Sequence, residues 1–444
     1  MPPVPPERSN CSYNERLTMQ LQKLVPIRQN FPNRGLPDVP TAVRDSMEAA
    51  SWTGNVPAGS RIAVGVGSRG ITNIDVIAKA VVDFWKAQDC KPFIIPVMGS
   101  HGAATGPGQA DVLAHYGITE ETMGCPIVSS LDVVPIGTTP DGVEVVMAKD
   151  ALEADGVMLC ARVKWHTDFE GTLESGIHKM MAIGLGKRSG AQVYHTHGLK
   201  LGLERVIRTV GEVVLGTGKM LGGLAIMEDA HHHTAEVHAV GAAGMVPQEE
   251  ELLARVKSWK ANIPVKELDI LIVDEIGKNF SGAGMDTKII NRSGRRGPNV
   301  WEGVPTIQRI FARDLSPLSY GNAVGIGLCD VISERLHGKI DFGPTWINSL
   351  TASSLTAAYV PLHFAEDRTC IETLAPTCGK LDTSQVSIAW IRNSMDISEM
   401  MVSENLLDEL KQNPEIEILG EPREIEYDSE GNLVGAGTAE AVAR

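Results

Sequence analysis

The chain has 444 residues, 43% of them hydrophobic and 21% charged, which is the composition of a globular protein and excludes a disordered or fibrous chain. It carries 40 lysine and arginine residues against 55 aspartate and glutamate residues, a formal net charge of −15. So acidic a surface disfavours nucleic acid as a partner, because it repels phosphate. At ~150 residues per domain, the length favours two or three domains.

Two further features bear on the cellular compartment. No apolar run reaches the ~18 residues of a membrane span, and residues 1–8 lack the apolar core of a signal peptide, so we expect a cytoplasmic protein that does not bind a membrane. The seven cysteines are scattered, odd in number and without a CxxC pair, which disfavours both a disulfide framework and a zinc ribbon.

Short apolar runs alternate with amphipathic stretches along the first half of the chain, as in an α/β protein. Residues 61–67 form the first predicted strand. A helix follows it, with apolar residues on one face and with Asn73 as its expected N-cap. Further strands are predicted at residues 92–98 and 156–160.

Two of these strands are each followed by a histidine, which is His101 after residues 92–98 and His166 after residues 156–160. Ligands of open α/β sheets usually bind beyond the carboxyl ends of the strands. We therefore expect both histidines at one edge of a sheet, where they can contact a ligand.

A domain boundary is predicted near residue 265, where a proline separates a helix at residues 248–260 from a strand at residues 268–274. The two domains then cover residues 1–265 and 266–444. The elements predicted beyond residue 274 are strands at 323–328, 386–391 and 416–419, a helix at 397–411, and a hairpin at 425–434 that packs back on the protein. The pattern predicts two α/β domains with parallel-type sheets and an active-site cleft between them.

Residues 65–70, Gly-Val-Gly-Ser-Arg-Gly, match the GxGxxG pattern directly after a strand, so a dinucleotide-binding loop is one interpretation. The next strand ends without the acidic residue that would bind a ribose hydroxyl. A glycine-rich turn for another phosphate or substrate, and an ordinary turn, are the alternatives. If the loop binds an anion, Arg69 is the candidate clamp, because its guanidinium presents a rigid pair of donors to carboxylate or phosphate.

Three adjacent histidines, His231, His232 and His233, lie near His238 and suggest a metal site. Adjacent side chains point in different directions in either regular structure, so three in a row rarely share one ion. We expect this triplet in a solvent-exposed loop.

Residues 164–198 are the densest cluster of chemically active side chains in the sequence. A predicted strand precedes them, and the stretch is rich in glycine. Its candidate site residues are His166, His178, Lys179, His195 and His197. Clustering of titratable groups at strand ends predicts a functional site.

These residues resemble the lactate racemase superfamily, the nickel-dependent racemases and epimerases of α-hydroxy acids. The resemblance covers residues 60–200, and more faintly extends to 300. Its motifs are Gly99-Ser100-His101-Gly102, Trp165-His166, Gly176-Ile177-His178-Lys179 and Tyr194-His195. It implies a nickel-pincer nucleotide as cofactor, which separate cofactor-synthesis enzymes must supply, and a small α-hydroxy acid, sugar acids included, as substrate.

The resemblance also implies a role for each matching residue of the first domain. His101 and His166 would be the two catalytic acid–base residues. Lys179 would tether the cofactor through a thioamide, and His195, sixteen residues later, would coordinate nickel.

The remaining roles concern the anion-binding loop and the second domain. Gly67, Ser68 and Arg69 would bind the cofactor, and Arg69 is also a candidate for the substrate carboxylate. Lys278 and Lys288 are the alternatives for a substrate-side lysine, and Lys288 is our candidate. The glycine-rich residues 277–284 are the expected contribution of the second domain to the site, with a surface loop as the alternative.

The residue types suit this chemistry independently of the resemblance. The C–H bond beside a hydroxyl and a carboxylate is barely acidic, whereas removal of hydride gives a planar keto acid that can take hydride back on either face. Such a reaction needs a hydride acceptor and a base on each side, and imidazoles with an unperturbed pKa of ~6.5 serve as bases near neutral pH. Neutral imidazole is also a good nickel ligand.

Two departures from the family pattern leave the activity open. Where members have Asp-x-Thr-Arg-Pro after the first strand, residues 67–71 are Gly-Ser-Arg-Gly-Ile, and the lysine segment has Gly-Ile-His-Lys in place of Gly-Gly-Arg-Lys. The favoured function is a racemase or epimerase. The alternatives are another redox or elimination step with the same cofactor, and a cofactor-free protein that binds a small carboxylate. Binding alone would not need two bases, a tether lysine and a nickel ligand together.

Overall fold

The computed structural model describes residues 19–67, 70–99, 102, 105–435 and 437. Helices alternate with strands along the chain, and the two main sheets have five and eight strands, so the predicted α/β class with two α/β units is confirmed. None of the helices in these ranges is long and apolar enough to span a bilayer.

The strands are β1 (Leu24–Gln29), β2 (Arg61–Val66), β3 (Lys91–Pro96), β4 (Val133–Thr138), β5 (Glu144–Ala148), β6 (Gly156–Arg162), β7 (Met220–Glu228), β8 (Thr234–Gly241), β9 (Glu267–Ile276), β10 (Arg292–Ser293), β11 (Gly297–Pro298), β12 (Thr306–Leu315), β13 (Val331–Ser333), β14 (Leu362–Phe364), β15 (Ile388–Ile391), β16 (Glu399–Ser403) and β17 (Ile416–Ile418). The helices are α1 (Val39–Ala49), α2 (Ile74–Ala87), α3 (Gly106–His115), α4 (Glu120–Met123), α5 (Lys149–Leu152), α6 (Ile177–Lys179), α7 (Lys187–Leu201), α8 (Leu203–Gly216), α9 (Met245–Lys257), α10 (Glu334–His337), α11 (Phe342–Thr351), α12 (Asp367–Leu374) and α13 (Leu407–Leu410).

The first sheet has the order β3-β2-β6-β7-β8, in which the first four strands are parallel and β8 is antiparallel to β7. Its strands β2, β3 and β6 lie where the sequence predicts them. Asn73 precedes α2 as expected, but it makes no side-chain capping hydrogen bond, since its backbone is left-handed, with a φ of +59°, where a capping residue is extended.

The second sheet has the order β14-β13-β12-β9-β15-β16-β1-β17 and is mixed rather than purely parallel. In this order, the five strands from β14 to β15 are parallel to one another. Each of the last three strands, β16, β1 and β17, is antiparallel to the strand before it. Strand β1 pairs with β16 and β17, so residues 24–29 lie in the second sheet although they precede the first sheet in the chain.

Two predicted elements of the second half are wrong. Residues 323–328 are no strand, because Gly325 takes a φ of +105° and the chain turns there into a short 3-10 helix at Ile326–Leu328. Residues 397–411 are mainly not helical, because Glu399–Ser403 forms β16 between β15 and β1, and only Leu407–Leu410 is an α-helix. The predicted hairpin at 425–434 is present, with Tyr427 paired to Leu433, and it packs back on the protein through Arg313.

The buried side chains form a separate core in each of the two units. Those from residue 39 to 256 pack on both faces of the first sheet, and those from 263 onwards, joined by Leu24 and Ile27, pack on the second. The first unit is closed on both faces, so a ligand can reach its parallel strands only at their carboxyl ends, where the loops leave the core.

Candidate functional site

The carboxyl ends of three parallel strands lie side by side in the first sheet. Val66 at the end of β2 is in register with Pro96 of β3 and with Cys160 of β6. Gly67 follows β2 directly and Gly99 comes three residues after the end of β3, so the loops that carry the predicted residues leave the sheet at one edge. Of these residues, Ser68, Arg69 and His101 lie outside the described part of the chain.

His166 lies in a closed loop beyond the third strand. Lys164 and Ser175 exchange two backbone hydrogen bonds of 3.1 Å, which close the loop. The His166 side chain is buried within it, with its ring centroid 4.5 Å from that of Phe169. Its Nδ1 accepts a hydrogen bond from the Asp168 backbone N–H at 3.0 Å, so the neutral ring carries its proton on Nε2.

A buried carboxylate, Glu174, organises this loop. It accepts hydrogen bonds from the backbone N–H groups of His166 at 2.5 Å and Gly171 at 3.1 Å. It also contacts the ammonium groups of Lys257 and Lys288. Because the carboxylate is fully enclosed and meets four donors, it fixes the backbone of the loop at the histidine.

The second unit contacts the same loop through residues 286–288. Trp165 donates from its indole to Asp286 at 2.8 Å, and Thr287 donates to the Thr167 carbonyl at 2.6 Å. Lys288 is 3% exposed, and its ammonium lies 3.4 Å from Glu174 and donates to the Phe169 carbonyl. Lys288 therefore lies beside the His166 loop.

The alternative lysine, Lys278, donates its ammonium to Asn348 within the second unit. The predicted loop at 277–284 does approach the first unit, since the Asn279 carbonyl oxygen lies 3.6 Å from the position that a Cβ would take at Gly70. The second unit thus contacts both the glycine-rich loop and the His166 loop.

Burial and charge alter the titration of the groups around Trp165. Burial lowers the pKa of Lys164, and it lowers the pKa of Lys260 to about 8, against the opposing effect of Asp286. Burial alone would raise the pKa of Asp286, but the two lysines hold it below its ordinary value. The ammonium groups of Lys164 and Lys260 also lie 5.0 and 5.7 Å from the indole ring centroid, and Lys164 pairs with Asp286 at 3.6 Å, so two cations flank Trp165.

The segment that carries Lys179 and His195 crosses the ends of β2 and β3. A π-helical turn, Met180–Gly184, follows α6, and the Leu185 N–H donates to the Met180 carbonyl five residues back at 2.9 Å. Gly99 has a φ of +58°, and a Cβ there would lie 3.2 Å from Ile183 and 3.7 Å from Ala191.

These contacts locate the two predicted cofactor residues. Lys179 precedes Ile183 by four residues and His195 follows Ala191 by four, so each shares a helix face with a residue that contacts Gly99. A Cβ at Gly67 would likewise lie 3.3 Å from the Met180 side chain. The structure therefore brings Gly67 and the segments that carry Lys179 and His195 to the same edge of the sheet.

Other histidines of the cluster lie elsewhere. His178 is buried in the core, where its Nδ1 bonds Glu249 at 3.0 Å and its ring lies against Gly211. His197 is half-buried on α7.

The histidine triplet forms the turn between β7 and β8. The rings of His231, His232 and His233 contact Phe31, Met395 and Asn33 respectively, so they bind three separate partners. The first two are half-buried, which is less exposure than we expected for this loop.

Two arrangements at this edge carry no signal in the sequence. Arg162, at the end of β6, pairs with Glu228 at 2.5 Å and donates to the Gly70 carbonyl, while Glu228 accepts from the Thr72 N–H. Burial would raise the pKa of Glu228, but Arg162, His232 and Thr72 lower it to about 2. This pair anchors the glycine-rich loop to the ends of β6 and β7.

The second arrangement is a buried lysine. Lys187 begins α7 with a φ of +54°, is 1% exposed, and donates its ammonium to the Pro96 carbonyl at 2.7 Å. Burial lowers its pKa to about 8. It ties the start of the helix that carries His195 to the end of β3.

No family model and no curated protein matches the chain. Among solved structures, it is similar to the lactate racemase apoprotein from Thermoanaerobacterium thermosaccharolyticum, at 14% identity and a TM-score of 0.44, over 74% of this chain and 81% of that chain. It is also similar to a protein from Thermotoga maritima, at 11% identity and a TM-score of 0.48, over 74% of this chain and 85% of that chain. Both similarities concern the fold and not the reaction that the protein catalyses.

Proposed function

We propose that this protein is a nickel-pincer-nucleotide-dependent racemase or epimerase of a small α-hydroxy acid. One observation supports the proposal: the helical segments that carry Lys179 and His195 converge, through Ile183 and Ala191, on Gly99 beyond the end of β3, at the sheet edge from which the His166 loop also leaves. A covalent tether, a nickel ligand and an acid–base group would need this convergence, and a structural role for each residue would not.

The residues present fit the proposed cofactor. Lys179 provides an amine that can form a thioamide, and His195 provides an imidazole, a ligand type that suits nickel. Gly67 and Gly99 lie beside the segment that would hold the cofactor. A Cβ at either glycine would already touch a side chain of that segment, so a bulkier residue at either position would displace it. By resemblance, Ser68 and Arg69 complete the binding loop.

When bound, the cofactor would supply an electrophilic centre that accepts hydride from C2 of the substrate. The chain itself must then hold the substrate and move the hydroxyl proton. By the family resemblance, His101 and His166 share this task, one for each enantiomer. The cations at Lys164 and Lys260 add a field that favours a carboxylate substrate at this edge.

The His166 tautomer defines its part in the proton transfer. With Nδ1 engaged by the Asp168 N–H, the neutral ring is a hydrogen-bond donor through Nε2. To accept a proton at Nε2, the ring must first move its own proton to Nδ1, where it would face the Asp168 N–H. We therefore propose that this hydrogen bond opens when His166 acts as the base, with a shift of residues 167–168.

The proposal is tested on protein produced together with the cofactor-synthesis enzymes. Nickel content and intact mass are measured, followed by a chirality-resolved screen of α-hydroxy acids. We expect bound nickel, a mass increment that Lys179→Ala abolishes, and nickel that His195→Ala abolishes. His197→Ala, two residues along the same helix, is the matched control and should keep the metal. Absence of both nickel and mass increment from the wild-type protein would favour the cofactor-free binding protein instead.

A further inference from the structure

A second group of metal-ligating side chains lies away from the candidate site, at the edge of the second sheet. Glu334 and His337 are three residues apart on α10, which follows β13 directly. His363 lies on the edge strand β14, opposite Ile332 of β13. Residues from two separate elements therefore meet at one point on the surface.

The three side chains of this group lie close enough together to bind one ion. One ligand atom from each of Glu334, His337 and His363 lies within 4.8 Å of the others. The Glu334 carboxylate contacts His363 Nδ1 at 2.5 Å and His337 Nδ1 at 3.5 Å. The imidazole rings are stacked, with centroids 4.2 Å apart and planes inclined by 8°.

We propose that Glu334, His337 and His363 form a binding site for a divalent transition-metal ion of the Zn²⁺ class. Two imidazole nitrogens and one carboxylate oxygen are a donor set that zinc sites use, with a further position open to water. Imidazole ligands also disfavour Mg²⁺ and Ca²⁺, which prefer sites built from oxygen.

The cations next to this group in the sequence, Arg335 and Lys339, pair with carboxylates other than Glu334. Arg335 pairs with Asp314 at 3.7 Å and with Asp367 at 3.2 Å, and Lys339 pairs with Asp314 at 2.6 Å. These cations are thus neutralised by other carboxylates.

The side chains are also free enough to adjust. They are 53%, 30% and 35% exposed for Glu334, His337 and His363, so solvent and ions reach them. An ion lies in the plane of each imidazole that binds it, so binding must turn the stacked rings apart about their side-chain bonds. Partly exposed side chains can make this turn without disturbing the core.

The ion would hold the edge strand to the helix. Strand β14 has three residues and pairs with β13 on one side, so few backbone hydrogen bonds retain it. An ion that binds the folded state alone stabilises it by mass action. Zinc should therefore raise the thermal midpoint of unfolding, and this site acts independently of the proposed cofactor.

The experiment is a Zn²⁺ titration of metal-free protein, with a chromogenic chelator as competitor. The double variant His337→Ala/His363→Ala should lose one equivalent of zinc relative to the wild type. Glu334→Gln, which keeps the shape of the side chain, should weaken that equivalent by about tenfold or more. His238→Ala is the matched control, because His238 pairs with Glu236 at 2.6 Å but belongs to no group of three metal-ligating side chains among the described residues, and it should keep the wild-type stoichiometry.

Two further measurements make the result decisive. The variants should unfold at the wild-type temperature in the presence of a chelator, and only the wild type and His238→Ala should gain thermal stability on addition of Zn²⁺. Mg²⁺ should bind to none of them at this site. Equal zinc stoichiometry and affinity in the wild type, the double variant and Glu334→Gln would overturn the proposal, whatever becomes of the proposed racemase function.

Discussion

The carboxylate of Glu174, whose side chain is fully buried, accepts a hydrogen bond from the backbone N–H of His166 at 2.5 Å. The same carboxylate lies 3.4 Å from the ammonium of Lys288, which belongs to the second unit. The position of a proposed catalytic histidine thus depends on a contact between the two units.

This relationship predicts the effect of Glu174→Gln. An amide has one acceptor oxygen in place of two, so the variant cannot satisfy the four donors around Glu174, and the His166 backbone should shift. Displacement of a catalytic group by about 1 Å can lower the rate by about 100-fold. We expect such a loss in kcat, with nickel content and intact mass unchanged.

The control for this variant is Glu170→Gln. Glu170 also pairs with Lys288, at 3.3 Å, but its side chain is 48% exposed, and none of the contacts described above joins it to the His166 backbone. It should keep kcat within about twofold, since exposed ion pairs contribute little. Wild-type kcat in Glu174→Gln would show that the carboxylate does not position His166.

The His166 tautomer can be measured directly. With ¹⁵N-labelled histidine, assigned by comparison with His166→Gln, the resting protein at pH 8 should show the proton of His166 on Nε2, because Nδ1 accepts from Asp168. A resting His166 with its proton on Nδ1 would contradict the opening step that we propose for residues 167–168.

Much of the first sheet could be predicted from the sequence because its signals are local. Strands β2, β3 and β6 are continuous apolar runs, and the parallel arrangement then brings their carboxyl ends together. The second half was harder, since β16 is buried on both faces and its apolar spacing imitates a helix. Strand β1 joins β16 across more than 370 residues of chain, and no local pattern encodes such a pairing.

The buried pair of Arg162 and Glu228 predicts a dependence of stability on pH. The folded protein holds the pKa of Glu228 near 2, below its ordinary value of 4.5. The contribution of Glu228 to stability is therefore complete above pH ~4.5 and is lost as the pH falls towards ~2. Glu228→Gln should lower the free energy of unfolding at pH 7 by about 3–5 kcal/mol, since the buried Arg162 loses the carboxylate that neutralises its charge.

Chemical denaturation of both proteins between pH 7 and pH 3 is the measurement. The difference between wild type and Glu228→Gln should shrink as the pH falls, whereas Glu212→Gln, an exposed position on α8, should match the wild type throughout. A difference that stays constant down to pH 3 would rule out the lowered pKa.

The buried Lys187 predicts a second dependence of stability on pH, in the alkaline range, where stability again rises with pH. Its pKa is about 8 in the folded protein and 10.5 in the unfolded chain, so between these values the unfolded chain binds more protons. The stability of the wild type should consequently rise, relative to Lys187→Met, by about 3 kcal/mol between pH 7.5 and pH 10.5.

The half-exposed Lys149, changed to Met in the same way, is the control for this measurement, and its variant should follow the wild type. If the pH profiles of Lys187→Met and the wild type are parallel, the ammonium of Lys187 is not desolvated as the structure indicates.

The site itself was only partly predictable. Chain order and strand context lead to the prediction of His166, Lys179 and His195, because each lies close in sequence to a strand or to the glycine-rich segment, and their roles stay predictions. Contacts between distant segments determine the roles of Glu174, Asp286 and the Arg162–Glu228 pair. The sequence around a carboxylate does not show which distant residue it will contact. The role of Lys288 likewise depends on which loop the second unit meets.

The most direct test of the proposed function follows the hydrogen at C2 of the substrate. Loaded wild-type protein is given one enantiomer of an α-hydroxy acid that carries deuterium at C2, in ordinary water, and the opposite enantiomer is analysed by mass spectrometry. Reversible hydride transfer predicts that the deuterium remains in the product, because the hydride is never released to solvent. Product that has lost its deuterium to water would contradict the proposal, since it would show proton abstraction at C2 instead.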